Sequence, residues 1–497
     1  MGVPARPRMW AAAPIDLGQR PLHGAGAGGP LTELAARAGH RLAGPMPVSF
    51  WMRRLEPLPP PRPPLDGDRD ADVCIVGAGY TGLWTAYELK RAQPDLDVVV
   101  LESRFAGFGA SGRNGGWVLG DLAGSRERWA RGPAGRAGVT ALLHAVQAAV
   151  DEVGAAVDRE GIACDFVKDG SLQVAQSELE LERVRGIVEE ERRWGRDTEL
   201  LDGPDATKRV AVDGVLGAAF TAHCARVQPA KLVRGLADAV QRAGATIHES
   251  TRVTSIAPGA AHTAAGVVRA RHVVRATEGY SARLDGHRRV LLPMNSAMIV
   301  TEPLDAGVWE QVGWAGAETL SDARHRFVYL QRTADGRVAI GGRGVPYRFG
   351  SGTAREGPVP ARTIDELRTR LAELFPVLRD APIDDAWHGI LGVPRNWSPS
   401  VGLDPTTGIA WAGGYVGEGV AAANLAGRTL RDLLLGRDTE LTRLPWVGPA
   451  ARRWEPEPLR FAGVQAVYAL YAAADRRERG TGRPSLTGRL GHAIAGH

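Results

Sequence analysis

The spacing of hydrophobic residues changes several times along the chain, and each change predicts a different element. Residues 73–76 form a short apolar run typical of a buried strand, and residues 77–82 open a helix that continues to about residue 90. Val98–Leu101 is a second apolar run, which ends at Glu102. A strand, a helix and a second strand in this order predict a βαβ unit.

Later segments show both patterns again, without an internal repeat. Helical spacing recurs over residues 138–160, 179–194, 229–243, 363–374 and 420–435. Strand-like runs occur over residues 170–174, 246–256, 272–275, 298–301, 327–331 and 338–340. From residue 445 onward the chain is rich in Arg and Ala, and we expect it to be helical only in part.

Strands alternate with helices at first, strand-rich segments follow, and strand-to-helix character returns at the end. This order predicts an α/β fold (α+β overall), in which a Rossmann-like domain in discontinuous segments carries an inserted antiparallel β-rich domain. We place an N-terminal extension with a Pro-rich lead-in at residues 1–67 and a C-terminal tail at residues 448–497. The Rossmann-like domain takes residues 68–160, 220–285 and 389–447, and the inserted substrate domain takes residues 161–219 and 286–388.

Composition narrows the class of protein. The chain has 497 residues, enough for two to three domains, and its 61 basic residues are spread along the sequence rather than gathered in runs. We therefore expect no nucleic-acid partner. Cys74, Cys164 and Cys224 form no metal-binding or disulfide pattern, and no apolar run approaches the roughly 20 residues of a membrane helix. We expect a cytoplasmic protein with no metal site and no membrane span.

The turn after the first predicted strand carries the pattern G-x-G-x-x-G at residues 77–82. Gly77 permits the tight turn, Gly79 lets a pyrophosphate approach the backbone, and Gly82 allows close packing of the helix on the sheet. Glu102 follows the second strand, where a carboxylate accepts hydrogen bonds from ribose hydroxyls. The alternative is a glycine-rich turn without a ligand and a surface glutamate. The motif predicts a dinucleotide site but does not separate FAD from NAD.

A second glycine-rich segment, residues 110–116, follows soon after Glu102. So many glycines disfavour a helix, but they suit backbone that lies against a large flat ligand. Ser111 and Asn114 are then candidates to hydrogen-bond that ligand. The alternative is a flexible loop.

Residues 73–116 resemble the FAD-binding start of the glycine oxidase/D-amino-acid oxidase (DAO) superfamily. The resemblance is closest to the subgroup of gamma-glutamylputrescine oxidoreductase-like bacterial amine oxidoreductases. It extends over residues 49–447 through further motifs at residues 223–229, 276–280, 293–303, 341–343 and 413–420. The order and spacing of these motifs carry it, rather than any one of them.

The resemblance implies a noncovalently bound FAD, since no cysteine lies beyond Cys224 to form the C-terminal flavin thioether of some relatives. It implies that the backbone of Val253 holds the adenine and that amides near Val420 face the N1–C2=O edge of the flavin. The residues implied to contact FAD are Gly77, Gly79, Tyr80, Thr81, Gly82, Glu102, Ser103, Ala110, Ser111, Gly112, Arg113, Asn114, Gly115, Gly116, Val253, Ala276, Thr277, Gly279, Gly414, Gly417, Gly419 and Val420.

The resemblance also implies the reaction. A small amine or amino acid in its neutral form would give hydride from its C–N bond to flavin N5, and water would hydrolyse the resulting imine. Oxygen or another acceptor would then take the electrons. Relatives of the sarcosine oxidase type use lysines near the flavin, whereas this chain has none after Lys231 and has Ala421 at one of those places. A dehydrogenase that uses a non-oxygen acceptor is therefore an alternative.

Three residues are candidates for catalysis. Glu418 stands where relatives commonly carry His, and we hypothesise that it attracts a cationic amine; a carboxylate paired with arginine or turned to solvent is the alternative. Arg343 could bind a substrate carboxylate through its bidentate fork, or be an ordinary surface arginine. Tyr329 could form a wall of the flavin pocket, or be a core residue.

Other classes of protein remain open at this point. A nicotinamide-dependent dehydrogenase is opposed by residues 110–116 and 413–420, and a flavin monooxygenase would need a reductant-binding arrangement that we do not find. The altered residues Glu418 and Ala421 keep open a third alternative, a noncatalytic FAD-binding subunit of a larger complex.

Overall fold

The computed structural model describes residues 48–55, 60–342, 347–353, 358–481 and 485. The predicted extension up to residue 46 therefore lies outside them, as does part of the Pro-rich lead-in. None of the helices within the described ranges has both the length and the apolar character needed to cross a bilayer.

The α-helices are α1 Phe50–Arg53, α2 Tyr80–Ala92, α3 Arg126–Ala130, α4 Gly135–Glu160, α5 Glu178–Arg193, α6 Gly203–Arg209, α7 Pro229–Arg242, α8 Ala306–Val312, α9 Ala361–Leu374, α10 Val420–Leu434 and α11 Leu459–Thr481. The strands are β1 Arg69–Val76, β2 Val98–Leu101, β3 Trp117–Leu119, β4 Ser171–Ala175, β5 Glu199–Asp202, β6 Gly217–Thr221, β7 Cys224–Arg226, β8 Thr246–His248, β9 Val253–Ala257, β10 Ala260–Thr263, β11 Val267–Arg275, β12 Leu292–Thr301, β13 Thr319–Asp322, β14 Val328–Arg332, β15 Val338–Gly342, β16 Ile383–Val393, β17 Ser400–Asp404 and β18 Ile409–Gly413.

The first sheet has the strand order β17-β18-β11-β1-β2-β8, with β9 and β10 attached beside β11. The pairs β18/β11, β11/β1, β1/β2 and β2/β8 are all parallel. The strand β2 and the last four residues of β1 are buried, as expected for central strands of a parallel sheet covered on both faces. The helices α2 and α10 pack so closely that a Cβ added to Gly427 would lie 2.7 Å from the backbone of Trp84. The predicted βαβ unit is confirmed.

The second sheet has the order β16-β12-β15-β14-β13-β4-β6-β5, and its pairs are antiparallel except for the parallel pair β13/β4. One face packs with α9 around a separate core that includes Leu320, Leu330 and Leu371. The fold class is confirmed. The two sheets take their strands from alternating stretches of the chain, and this alternation supports the discontinuous domain division, which stays a prediction.

The structure corrects several predicted elements. Residues 246–256 are not one strand, because Ser250 adopts a positive φ of 51° between β8 and β9. The preceding Glu249 is fully buried and accepts a hydrogen bond from the backbone N–H of Ala106 at 2.9 Å, which holds the chain in this turn. The strand β16 is missing from the prediction because its polar and glycine residues interrupt the alternation. From residue 445 onward the described chain is helical only in part, as predicted, because α11 begins at Leu459.

Candidate functional site

The carboxyl ends of β1, β2 and β11 face one cavity, where segments distant in the sequence meet. It is at this edge of a parallel sheet that ligands bind in doubly wound folds. The predicted cofactor residues that line the cavity are Gly77, Gly79, Tyr80, Thr81, Glu102, Ser103, Ala110, Ser111, Asn114, Val253, Ala276, Thr277, Gly417, Gly419 and Val420. Those that are not in its lining are Gly82, Gly112, Arg113, Gly115, Gly116, Gly279 and Gly414.

The turn between β1 and α2 requires its glycines. Gly77 has a φ of +109°, and a Cβ there would lie 2.6 Å from the carbonyl oxygen of Ala276. A Cβ on Gly82 would overlap the carbonyl oxygen of Gly77, so this position serves helix–sheet packing and not the cavity. Gly79 is the N-cap of α2 and makes no side-chain cap. This geometry leaves room for a phosphate group at the positive end of the helix.

Ser111 is part of this helix cap. Its Oγ accepts a hydrogen bond from the backbone N–H of Tyr80 at 2.9 Å, and a Cβ on Gly79 would lie 3.0 Å from the same oxygen. The second glycine-rich segment is thereby joined to the first. Ser111 satisfies one of the free amides that a helix start leaves.

Glu102 is held by donors of the protein itself. Its Oε2 accepts from the N–H of Ala78 at 2.9 Å, and its Oε1 accepts from Ser103 Oγ and from the N–H of Arg104, both at 3.0 Å. Burial raises the pKa of Glu102, although these hydrogen bonds oppose the shift. A carboxylate has about four lone-pair sites, so capacity remains for a ribose hydroxyl.

The segment 110–116 is packed and not a flexible loop. The Asn114 Nδ2 donates to the carbonyls of Ala110 and Ser111 at 3.2 and 2.9 Å, and its Oδ1 accepts from the N–H of Gly116 at 2.8 Å. A Cβ on Gly115 would lie 2.9 Å from the ring of Tyr329. Gly112 and Gly116 are likewise crowded by protein atoms rather than by cavity space. Gly115 and Gly116 thus allow the segment to lie directly on β14 of the second sheet, whereas Gly112 packs against Gly107 and Met52.

Arg113 joins the two sheets. Its Nε donates to the carbonyl oxygen of Phe108 at 2.8 Å, its Nη1 donates to that of His388 at 3.3 Å, and its guanidinium lies 4.7 Å from the centroid of the Phe108 ring. The Trp387 Nε1 donates to the carbonyl oxygen of Arg113 at 2.9 Å. The side chain is 5% exposed and shapes the site from behind the cavity wall.

Glu278 lines the cavity but was not among the predicted site residues. Its Oε2 accepts from the N–H of Gly414 at 2.8 Å and its Oε1 from the N–H of Gly392 at 3.2 Å. Burial raises the pKa of Glu278 to about 7, although hydrogen bonds from backbone amides oppose the shift. The sequence feature that could have identified Glu278 is its place as an acid among the predicted cofactor residues at 276–279. Gly414 and Gly279 support this arrangement from outside the lining.

The turn between β18 and α10 brings a helix start to the cavity. Gly414 and Gly417 have φ values of 79° and 115°, a conformation that favours glycine. Gly419, the N-cap of α10, and Val420 line the cavity, and no side chain caps this helix start. The free amides of the first turn and the helix dipole make this edge suitable for negative charge.

Glu418 lies on the same turn but is not in the lining of the cavity. It is half-buried, and its Oε2 is buried without a hydrogen-bond partner among the described residues. Burial and the charge of Asp121 raise the pKa of Glu418 to about 8, whereas Arg126 and Arg196 lower it. Those arginines are also paired with Glu191, at 2.5 and 2.6 Å.

The structure places the other two catalytic candidates differently. Tyr329 lies on β14, where its hydroxyl is 2.8 Å from Ser296 Oγ and its ring meets Trp117 edge-on at 6.3 Å. It contacts the segment 110–116 and is not in the cavity lining. Arg343 lies outside the described residues.

Comparison with known proteins identifies the family. Residues 72–433 match the DAO family, described as FAD dependent oxidoreductase. The chain is 32% identical over 373 residues to gamma-glutamylputrescine oxidoreductase of Escherichia coli (strain K12), across 73% of this chain and 84% of the relative. It is 26% identical over 377 residues to glycine oxidase of Bacillus licheniformis, across 73% of this chain and 93% of the relative.

Solved structures share the fold. Glycine oxidase from Geobacillus kaustophilus superposes with a TM-score of 0.65 at 22% identity, over 78% of this chain and all of that chain (100%). L-proline dehydrogenase from P. horikoshii superposes with a TM-score of 0.62 at 19% identity, over 76% of this chain and 98% of that chain. The glycine cradle and the two helix starts fit a dinucleotide cofactor, and FAD is the cofactor of the matched family. The chain belongs to the DAO family of FAD-dependent oxidoreductases.

Proposed function

We propose that this enzyme oxidises the C–N bond of a small amine or amino acid to an imine, which water then hydrolyses. FAD, when bound, supplies the hydride acceptor. The observation that carries the proposal is the meeting of two helix starts, those of α2 and α10, at one cavity in a chain of this family. The relatives named for gamma-glutamylputrescine, glycine and proline support the class of substrate.

The residues divide into two groups by their proposed task. The start of α2 and Glu102 would hold the pyrophosphate and the ribose, and Val253 would hold the adenine. The first-turn amides at Gly419 and Val420 would stabilise negative charge on the flavin edge without having to reorganise. The other predicted cofactor residues in the lining would complete the walls of the site, and the seven outside it would support these contacts from behind.

We propose that Glu418 recognises the amine. Its unpartnered Oε2 supports this role, because a buried carboxyl oxygen without a donor gains by pairing with an ammonium group. The proposed wall of the flavin pocket includes Tyr329, and a substrate carboxylate would pair with Arg343. The paired arginines Arg126 and Arg196 favour the alternative, a carboxyl group neutralised within the protein.

The electron acceptor distinguishes two forms of the proposal. Ala421 is fully buried at the start of α10, where relatives of the sarcosine oxidase type carry a lysine, and this favours an acceptor other than oxygen.

The test is anaerobic mixing of the purified flavoprotein with a panel of amines and amino acids, followed by admission of air. Bleaching and rapid recolouring identify an oxidase, and bleaching without rapid recolouring identifies a dehydrogenase. A protein that takes up FAD but is bleached by none of these compounds contradicts the proposal and favours a noncatalytic subunit.

A further inference from the structure

A cleft lined by arginines adjoins the cavity that we assign to FAD. We call it the arginine cleft, after Arg104, Arg252, Arg283 and Arg288 in its lining. Arg252 and Arg283 also line the FAD cavity, so the two spaces meet at these residues. The junction lies beside Val253, which we predict to hold the adenine. The arginine cleft is therefore at the adenine end of the FAD cavity.

Two of these arginines are held in place by uncharged acceptors. Arg283 donates from Nε to Thr353 Oγ1 and from Nη2 to the carbonyl oxygen of the same residue, both at 2.7 Å. Arg288 donates from Nε and Nη2 to the carbonyl oxygen of Gly350, at 3.1 and 2.8 Å. A guanidinium keeps its proton in such contacts, so both positive charges remain in the cleft.

The other two arginines of the cleft are exposed. The Arg252 side chain makes no hydrogen bond or ion pair with the part of the chain that the structure describes. The Arg104 guanidinium lies 5.6 Å from the centroid of the Phe108 ring, and Phe108 itself lines the FAD cavity. The positive charge of the cleft thus extends along the mouth of that cavity.

Acidic residues do not cancel this charge. Asp285 is the one acid among the described residues that line the cleft, and four arginines against one aspartate leave three positive charges in excess. The acids inside the FAD cavity, Glu102 and Glu278, both accept hydrogen bonds from backbone amides. Burial raises the pKa of both carboxyl groups, which reduces their opposing charge.

We propose that the arginine cleft captures FAD from solution and guides its negatively charged diphosphate towards the start of α2. A cleft lined by one sign of charge focuses the electric field and raises the association rate of an oppositely charged ligand by about 10–10³-fold. Gly79 and Tyr80, at the start of α2, line the same FAD cavity and offer the final phosphate site. The proposal uses FAD as the cofactor and is independent of the substrate and of the electron acceptor.

Two of the arginines allow capture of FAD to be separated from its retention. Arg104 and Arg288 line the cleft but not the FAD cavity, so they attract the cofactor before it is bound. Charges at the rim of a site change the association rate and its salt dependence, whereas contacts within the site change the rate of release. The experiment leaves Arg252 and Arg283 unchanged, because they line both spaces.

The test is stopped-flow mixing of FAD with the full-length protein from which the noncovalent FAD has been removed, followed by tryptophan fluorescence. Arg104→Gln with Arg288→Gln should slow association about tenfold at low ionic strength, with an unchanged rate of FAD release. At about 1 M salt, where the Debye length is about 3 Å, the variant and the unchanged protein should associate at the same rate. Arg288→Lys, which keeps the charge without the planar fork, should associate like the unchanged protein.

The matched control is Arg131→Gln with Arg185→Gln, which removes the same charge from exposed residues that line neither the cleft nor the FAD cavity. We expect it to bind FAD at the rate of the unchanged protein. If the double cleft variant does not fold, Arg104→Gln and Arg288→Gln are measured singly, at roughly threefold slower association each. Equal slowing in the control, or unchanged association in the cleft variants, would overturn the proposal. Faster release of FAD at an unchanged association rate would also overturn it, because the arginines would then contact the bound cofactor.

Discussion

The carboxylate of Glu278 accepts a hydrogen bond from the backbone N–H of Gly414 at 2.8 Å, across 136 residues of sequence. The same carboxylate accepts from Gly392, at the end of β16. One side chain therefore ties together the turn after β11, the end of a strand in the second sheet, and the turn that leads to α10. Because Gly419 and Val420 follow on that last turn, Glu278 is a positioning residue for the helix start at the cavity.

Glu278→Gln should change how stability depends on pH. The pKa of Glu278 is raised from 4.5 to about 7, so the folded state holds this proton more tightly than the unfolded chain does. The contribution of this group to stability is present below pH 4.5 and is lost as the pH rises through about 7. Glutamine does not titrate and retains one acceptor. The free energy of unfolding of the Glu278→Gln variant, relative to that of the unchanged protein, should therefore rise by up to about 3 kcal/mol between pH 4.5 and pH 8.

The measurement for Glu278 is urea unfolding of the apoprotein at several pH values. Glu278→Ala, which has no acceptor, should be destabilised throughout this range and should bind FAD more weakly. The same pH dependence in the glutamine variant and in the unchanged protein would show that another acid is responsible.

Gly77→Ala should weaken FAD binding while the protein still folds. The added Cβ would lie 2.6 Å from the carbonyl oxygen of Ala276, at a φ of +109°. Strain of this kind costs about 1–3 kcal/mol, which corresponds to roughly ten- to hundredfold weaker binding if it falls on the bound form. Flavin released per protein after dialysis measures the effect. Gly186→Ala, on the exposed side of α5 where no atom lies within 4 Å of the added Cβ, is the control and should retain FAD.

Glu418→Gln should remove a pH-dependent part of amine affinity. With its pKa near 8, Glu418 gains its negative charge as the pH rises through that value. We expect the KM of the unchanged enzyme for a cationic amine to fall between pH 7 and pH 9 more steeply than the KM of the variant. Initial rates across this pH range test it, with the exposed neighbour Glu127→Gln as control. Parallel profiles for all three proteins would assign Glu418 to the arginine cluster and not to the substrate.

Tyr329→Phe should affect stability more than catalysis. Ser296 Oγ donates to the carbonyl oxygen of Gly342 at 3.1 Å, so it is the acceptor for the Tyr329 hydroxyl. The variant keeps the ring that supports Gly115 and loses one hydrogen bond, at a cost of about 1 kcal/mol. A double-mutant cycle with Ser296→Ala measures the coupling. A fall in kcat far beyond the loss of stability would instead place the hydroxyl in the chemistry. Tyr329→Ala should lose both the ring that supports Gly115 and the hydrogen bond to Ser296.

Predicted cofactor residues line the cavity mainly where their positions depend on residues close to them in the sequence. The turn at residues 77–82, the strand on each side of α2 and the position of Glu102 belong to one βαβ unit, although the crowding at Gly77 comes from Ala276, directly after β11. For the same reason the helix start at Val420 follows from its preceding glycines. By contrast, the sequence predicted that the glycines at 110–116 contact a flat ligand, and two of them, Gly115 and Gly116, instead accommodate Tyr329 and Gln331 of the second sheet.

By itself the sequence determined the βαβ unit and a dinucleotide site, because glycine spacing and apolar runs act on neighbouring residues. Its resemblance to the DAO superfamily indicated the family and the FAD cofactor. Only the tertiary structure decided which polar groups are satisfied by the protein. The carboxylate of Glu278 acquires its partners from Gly392 and Gly414, and the environment of Glu418 comes from residues before 200. Burial and the orientation of distant amides set the pKa of both acids, and neither is visible in the spacing of residues along the chain.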